Sequence, residues 1–206
     1  MDASACKPQS RIQRANRETI LAAALDTFAE GGFHAARLEA IAERAGMSKQ
    51  NLLYYFGTKA AIHAAVLEQL LDTWLDPLRA LDPMGDPLEE VLGYLRRKLQ
   101  LARDLPAASR LFANEILAGA PNIETVLAGP LRAIVDDKAA LLARWMDEGR
   151  LARRDPHHLI FSIWAVTQHY ADFDVQVRAV LGGDCKSRFA RAEETLTALF
   201  RGGLRP

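Results

Sequence analysis

Helical periodicity runs through almost the whole chain and constrains its fold more than any other feature of the sequence. Apolar residues recur at intervals of three and four, as in the run Ile62, Val66, Leu67, Leu70, Leu71, Trp74 and Leu75. The alternation of apolar and polar residues that is typical of β-strands is nearly absent. The sequence therefore predicts an all-α protein of about nine helices.

Glycine, proline and capping residues indicate where these helices begin and end. Gly31 and Gly32 end the first apolar stripe, and Pro77 marks the end of the long fourth helix. Asp155 followed by Pro156 predicts a helix start, with a capping side chain and a proline in the first turn. Further helices are predicted over residues 87–103, 106–118, 123–149, 156–181 and 186–201.

The charge of the chain is balanced overall but unevenly distributed. The sequence has 26 Lys and Arg against 26 Asp and Glu, so its formal net charge is zero. Lys7, Arg11, Arg14 and Arg17 nevertheless follow one another with no acidic residue between them. Zero net charge therefore does not exclude nucleic acid as a partner, because the basic residues are concentrated near the N-terminus.

Several kinds of site and location are not supported by the sequence. Cys6 and Cys185 are far apart and form no metal-binding spacing, so we expect neither a disulfide framework nor a Cys-based zinc site. Adjacent His157 and His158 point about 100° apart on a helix, and we expect no metal and no cofactor. The N-terminal stretch is polar and basic, and the apolar run Leu159–Val166 is too short to cross a bilayer. We expect a cytoplasmic protein that does not contact membranes.

The segment from Leu38 to Lys49 has the pattern of a helix, a tight turn and a second helix. Ala42 is small enough for close helix contact, and Gly46 permits the left-handed backbone that a tight turn needs. Ser48 is placed to cap the next helix, whose first residues would meet bases and phosphates in a major groove. Spacing alone is equally compatible with an ordinary helical hairpin that carries solvated polar residues.

The same region resembles the DNA-binding region of TetR-family transcriptional regulators. The resemblance rests on Phe28, Gly31-Gly32-Phe33, the run from Ile41 to Gly46, Ser48, Tyr55-Phe56 and Thr58-Lys59. It departs from the family pattern at Gln50 and Leu53, which bears on the operator sequence rather than on DNA binding itself. The resemblance implies a helix-turn-helix domain over residues 17–60, preceded by a basic flexible arm over residues 1–16.

The resemblance also implies roles for individual residues in DNA binding. Gln50 and Asn51 are the candidates for base-edge contacts, because a carboxamide pairs bidentately with adenine. A second set is predicted to hold the phosphate backbone: Arg37, Ser48, Lys49, Tyr54, Tyr55 and Lys59. We expect the basic arm to contribute to DNA binding as well, the alternative being a merely solubilising tail.

Within that family, the chain is most similar to the uracil-responsive regulators of pyrimidine utilisation. The likeness rests on three stretches, residues 51–56, 108–121 and 158–173. It implies that residues 61–206 form a ligand-binding and dimerisation domain, with uracil or thymine as the effector. It also implies a homodimer that acts as a repressor on a palindromic double-stranded DNA operator, and no enzymatic activity.

One helical stripe carries residue types that suit a pyrimidine. Trp164, Gln168 and Asp172 lie at i, i+4 and i+8, with His169 beside them. Gln168 both donates and accepts, as the edge of a ring amide requires. Three further candidates come from other helices: Glu115, Lys98 and Asn114.

Each of these candidates also has an ordinary structural interpretation. Trp164 is the kind of residue that fills cores or dimer interfaces, His169 could be a hydrogen-bonded structural histidine, and Asp172 could pair with an arginine. The helices over residues 156–181 and 186–201 are predicted to expose apolar residues that pair across a two-fold axis or, alternatively, pack inside one domain.

Three other functions remain compatible with the sequence. The chain could sense an unrelated planar or apolar ligand, or bind DNA without a ligand as a nucleoid-type protein. A helical acid–base enzyme would instead require Glu115, Asp172 and His169 to converge on one pocket.

Overall fold

The fold of the chain was analysed in a computed structural model, which describes residues 11–206. Within this range the regular structure is helical throughout, in agreement with the predicted all-α class. The chain forms two compact units, which divide between Leu67 and Glu68. This division lies inside a helix, beyond the boundary expected after residue 60. Residues 1–10, including Lys7 and Cys6, lie outside the described part.

The first unit contains three helices and the beginning of a fourth. They are α1 (Arg11–Ala35), α2 (Leu38–Arg44), α3 (Lys49–Phe56) and α4 (Lys59–Arg79). Because α1 begins at Arg11, the prediction of a flexible arm is wrong for residues 11–16, which are helical. Gly32 interrupts α1 with a non-helical backbone (φ 73°, ψ 169°), close to the predicted end of that helix.

The turn between α2 and α3 has the features that the sequence predicts for a helix-turn-helix. Gly46 adopts a left-handed backbone with φ 65°, which a side chain would strain. The Ser48 hydroxyl accepts a hydrogen bond from the backbone N–H of Asn51 at 3.1 Å and thereby caps α3. Ile41 of α2 and Leu52 of α3 are fully buried, so the two helices share one small core.

The second unit is built from the rest of α4 and seven further helices. They are α5 (Pro87–Asp104), α6 (Pro106–Leu117), α7 (Glu124–Val126), α8 (Arg132–Asp147), α9 (Pro156–Asp172), α10 (Asp174–Leu181) and α11 (Cys185–Leu204). Helix α5 packs against α9 and α11, and the core between them includes Tyr94, Leu95 and Ile163. Aspartates cap α5, α9 and α11, and that of α9 is the predicted Asp155.

The structure departs from the predicted helices at three places. Residues 123–149 do not form one helix, because a π-helical turn, Leu127–Leu131, surrounds Pro130 and precedes α8. Residues 156–181 form two helices, because Phe173 leaves helical geometry (φ −112°, ψ 28°) between α9 and α10. Helix α4 continues past Pro77 to Arg79. Residues 11–206 therefore form slightly more helices than the about nine predicted, within the same all-α class.

The apolar residues of α9–α11 are buried to very different extents within one chain. Val177, Phe189 and Phe200 lie on the helices that were predicted either to pair across a two-fold axis or to pack inside one domain, and they are at least 91% buried inside the second unit. Phe161 and Leu199 remain exposed, at 47% and 63% of their surface. The part of the chain from residue 11 onward contains no helix that is long and apolar enough to cross a membrane.

Candidate nucleic-acid interface and ligand cavity

The first turn of α3 presents polar side chains to solvent. Lys49, Gln50 and Asn51 are all exposed, and Ser48 precedes them as the cap of the helix. The carboxamides of Gln50 and Asn51 are therefore available for base edges, as predicted for the second helix of a helix-turn-helix. Arg37 is exposed at the N-terminal end of α2.

Lys49 forms an ion pair that leaves it accessible. Its Nζ lies 2.7 Å from Oε1 of Glu39, and both side chains are about half exposed, at 48% and 62%. The hydrogen bond from Lys49 lowers the pKa of Glu39. Exposed pairs of this kind contribute little to stability, so a DNA phosphate can replace the carboxylate at small cost.

The two tyrosines of α3 have different environments. Tyr54 is 75% exposed, while the half-buried Tyr55 accepts a hydrogen bond on its hydroxyl from Asn16 Nδ2 at 2.8 Å. The guanidinium of Arg17 lies 4.2 Å from the ring centroid of Phe56. Asn16 and Arg17 of α1 therefore help to fix α3, a role that the sequence did not suggest for them.

Lys59 is engaged inside the first unit, which argues against the phosphate contact predicted for it. Its ammonium donates to the carbonyl oxygens of Phe33 at 2.8 Å and of Ala36 at 3.0 Å. It also lies 4.6 Å from the centroid of the Phe33 ring. These contacts satisfy carbonyls where the chain leaves α1, so Lys59 connects the start of α4 to the end of α1.

We expect the substitutions Lys49→Met and Lys59→Met to affect different properties, DNA binding and stability respectively. Lys49→Met should leave the melting temperature nearly unchanged, weaken binding to all DNA sequences and reduce the salt dependence of binding by about one phosphate contact per half-site. Lys59→Met should lower the unfolding free energy by about 1–3 kcal/mol, because the carbonyl groups that it contacts lose a charged donor.

Thermal unfolding and fluorescence anisotropy with labelled DNA at several salt concentrations measure both effects. The two methionine variants are matched controls for each other. An unchanged melting temperature for Lys59→Met, together with a reduced salt dependence, would restore Lys59 to the phosphate-binding set.

A cavity of about 670 Å³ lies in the second unit. Its wall is largely apolar and is formed by residues of α4, α5, α6, the π-helical turn and α9. Two indoles, Trp74 and Trp164, contribute flat surfaces to it. The indole N–H of Trp164 donates to the hydroxyl of Tyr94, which fixes the orientation of the ring, and burial raises the pKa of Tyr94.

The polar part of the cavity wall combines groups from three helices. Four residues proposed from the sequence as ligand contacts line it: Gln168 and Asp172 of α9, Lys98 of α5 and Asn114 of α6. Arg110 of α6 lines it as well. The mostly apolar wall with a few fixed polar groups is typical of a small-molecule site.

The charged groups of this wall are held in place by hydrogen bonds and burial. Oδ1 of Asp172 accepts a hydrogen bond from Ser109 Oγ at 2.5 Å, and Arg110 Nη1 donates to the carbonyl oxygen of Ala171 at 3.2 Å. Burial raises the pKa of Asp172 and lowers that of Lys98 to about 8. The wall therefore carries a fixed carboxylate and an amine whose pKa of about 8 lies well below that of an ordinary lysine.

Two of the predicted ligand residues do not line the cavity. Glu115 is buried, and its carboxylate accepts hydrogen bonds from the backbone N–H of Asn122 at 2.8 Å and from Asn122 Nδ2. It holds the loop after α6. His169 is exposed and stacks on Phe173 with 5.1 Å between ring centroids. Glu115, Asp172 and His169 do not all line one pocket, so the convergence that an acid–base enzyme requires is not found.

Three residues of the cavity region were missed by the sequence analysis. They are Trp74, Ser109 and Arg110. Trp74 was read only as part of an apolar stripe, and no local pattern connects Ser109 with Asp172, 63 residues later. Among residues 11–206, no three His, Cys, Asp or Glu side chains are grouped as metal ligands.

Comparisons with known proteins cover both units. Residues 20–66 match the family model for bacterial regulatory proteins of the tetR family, and residues 67–206 match that for the C-terminal region of YcdC-like proteins. The chain is 51% identical over 200 residues to the HTH-type transcriptional regulator RutR of Escherichia coli strain K12. That match covers 96% of this chain and 94% of the relative.

Two further matches are more limited. The HTH-type transcriptional activator FasR of Mycolicibacterium smegmatis is 37% identical over 71 residues, which are 34% of this chain and 32% of FasR. The crystal structure of the putative transcriptional regulator SCO4942 from Streptomyces coelicolor superposes with a TM-score of 0.70 at 23% identity. It covers 89% of this chain and 97% of that one, and it supports the fold alone.

Proposed function

The chain belongs to the TetR family of bacterial regulatory proteins, and we propose that it is a repressor whose operator binding is weakened by a pyrimidine such as uracil. It is a DNA-binding transcriptional regulator rather than an enzyme. Regulators of this family bind DNA operators as dimers and respond to small-molecule effectors. Because it would bind operators in bacterial DNA, it would act in the cytoplasm.

The observation that carries the effector proposal is the composition of the cavity wall. Uracil has a flat face, two N–H donors and two carbonyl acceptors, and the cavity offers indole surfaces from Trp74 and Trp164. Gln168 can donate to a ring carbonyl and accept from a ring N–H, while Asp172 can accept and Lys98 can donate. We assign Asn114 to the rim, since it is exposed.

For DNA binding, we propose roles for residues of α3 and for Arg37 before α2. Gln50 and Asn51 would read base edges, and Lys49, Tyr54 and Arg37 would hold phosphates. Ser48 and Tyr55 would support the same backbone contacts from positions that also fix the helix. A two-fold dimer would place two such helices on half-sites about 34–36 Å apart, which requires a palindromic operator.

Helix α4 provides the route by which effector binding would alter DNA binding. Its first residues belong to the first unit, and Leu71, Trp74 and Leu75 from its later turns line the cavity. A ligand that repositions Trp74 would therefore move a helix whose other end begins at Lys59, beside the helix-turn-helix. Ligand and operator would then be negatively coupled.

A footprinting and mobility-shift experiment on DNA upstream of the protein's own gene tests the proposal. We expect protection of one two-fold symmetric site, with protection lost when uracil is added. Binding without any preferred site and with strong salt dependence would instead indicate a nucleoid-type protein.

A second effector class is supported by the size of the cavity. About 670 Å³ of mostly apolar space is larger than one pyrimidine ring needs, so an unrelated planar or apolar compound would also fit. A thermal-shift comparison of uracil and thymine with larger aromatic compounds separates the two classes.

A further inference from the structure

We propose that the cavity binds a planar cyclic imide as its deprotonated anion, paired with the protonated amine of Lys98. The inference rests on the proposed function, because it concerns the ligand of that cavity. It adds the charge state of the ligand and the proton that binding releases.

The first support is the position of Lys98 in the cavity wall. The residue is only 2% exposed, and its ammonium lies 4.8 Å from the ring centroid of Trp74. Burial lowers the pKa of this amine to about 8, so it still carries its charge at pH 7. A buried ammonium next to an indole face lacks most of its hydration and gains from an anionic partner.

The second support is the set of charges that faces Lys98 from neighbouring helices. Asp172 of α9 attracts the ammonium through space, but its own carboxylate is hydrogen-bonded to Ser109. Arg110 of α6 acts on Asp172 as well, so this carboxylate is shared between two cationic side chains. The two cations and one carboxylate leave the cavity wall with a surplus of positive charge beside an apolar surface, which an anionic ligand would neutralise.

The chemistry of a cyclic imide fits this arrangement. Its ring N–H, flanked by two carbonyl groups, releases a proton to solvent, and the resulting charge spreads over the nitrogen and both oxygens. Lys98 then donates to the anion and remains protonated. One N–H bond breaks and the proton goes to buffer; well below the pKa of Lys98 no other group changes its protonation, and near that pKa the neutral fraction of the amine takes up part of the proton. The rival event is loss of the Lys98 proton while the imide stays neutral.

Titration calorimetry with uracil and 5-fluorouracil, in buffers of different ionisation enthalpy, distinguishes these events. Because the amine has a pKa of about 8, uracil should release close to one proton per cavity at pH 6–7 and about half a proton at pH 8. Its affinity should rise about tenfold from pH 6 to pH 7. 5-Fluorouracil, which is nearly isosteric but more acidic, should bind more tightly than uracil at pH 7, in proportion to its acidity.

The substitution Lys98→Met supplies the control, because it keeps an unbranched side chain only one atom shorter and removes the amine. Proton release and the preference for 5-fluorouracil should both disappear, with the melting temperature reporting that the variant is folded. Equal affinities of uracil and 5-fluorouracil for the unmodified protein, despite proton release, would assign the proton to Lys98 and overturn the inference.

The remaining outcomes separate this inference from the proposed function. Uracil binding with no proton release would contradict the inference but leave the effector proposal intact. Absence of uracil binding at every pH would contradict the effector proposal itself.

Discussion

The substitution Gln50→Ala should reduce affinity for the operator by at least about 30-fold while leaving binding to unrelated DNA nearly unchanged. A bidentate contact between a carboxamide and adenine contributes about 1–3 kcal/mol, and a two-fold dimer makes the contact twice. Since Gln50 is exposed in the first turn of α3 and carries no charge, its removal alters neither the fold nor the attraction to phosphates. Asn51→Ala should behave similarly.

Fluorescence anisotropy with an operator duplex and a scrambled duplex measures the effect. Gln100→Ala is the matched control, because it removes an exposed carboxamide from α5 in the second unit. The salt dependence of DNA binding should be the same for the unmodified protein, Gln50→Ala and Gln100→Ala. An equal loss on both duplexes would show that Gln50 supports binding without reading sequence.

The substitution Gln168→Leu should weaken uracil binding by about 10- to 100-fold. Leucine has a similar volume, but it leaves a buried ring carbonyl and a ring N–H without partners, which costs about 1–3 kcal/mol. Gln168 lies on the cavity wall between Trp164 and Asp172, so the change is confined to the ligand site. Operator binding without uracil should be unchanged.

Titration calorimetry measures this loss directly. Gln176→Leu provides the control, because Gln176 is exposed on α10 and does not line the cavity. If Gln168→Leu bound uracil as tightly as the unmodified protein, the amide would have no part in recognition and the orientation proposed for the ligand would be wrong.

The sequence predicted the helical fold because apolar periodicity and capping are local signals. Asp155 caps α9 and Ser48 caps α3, as predicted, and Gly46 takes the left-handed backbone that the turn requires. The division at Phe173 has no local signal in the sequence, whereas Pro130 is itself a helix-interrupting residue whose effect the sequence analysis did not consider. Continuous periodicity does not reveal where a helix bends or divides.

The sequence predicted which residues of α9 line the cavity, but not which residues of other helices do. Trp164, Gln168 and Asp172 share a stripe by their spacing of four, and all three line the cavity. His169 follows Gln168 directly, so its side chain points about 100° away from the stripe around the helix axis and is exposed. Trp74 and Arg110 come from other helices, whose distance from α9 a single sequence does not contain.

The DNA-binding residues show the same limit. Exposure of Gln50 and Asn51 follows from their place in the first turn of α3. The engagement of Lys59 with carbonyl groups at the end of α1 depends instead on contacts 23 to 26 residues apart in the chain. A basic residue near a recognition helix is therefore not automatically available to phosphate.

The account as a whole depends on coupling between the cavity and the operator. The most direct measurement is operator affinity, with and without saturating uracil, for the unmodified protein and for Gln168→Leu. Uracil should weaken operator binding by the unmodified protein at least about tenfold, a coupling of about 1.4 kcal/mol. At a concentration just sufficient to saturate the unmodified protein, uracil should have a much smaller effect on the variant, because the variant binds it about 10- to 100-fold more weakly. If uracil binds the unmodified protein but leaves its operator affinity unchanged, the cavity does not control DNA binding and the central claim is contradicted.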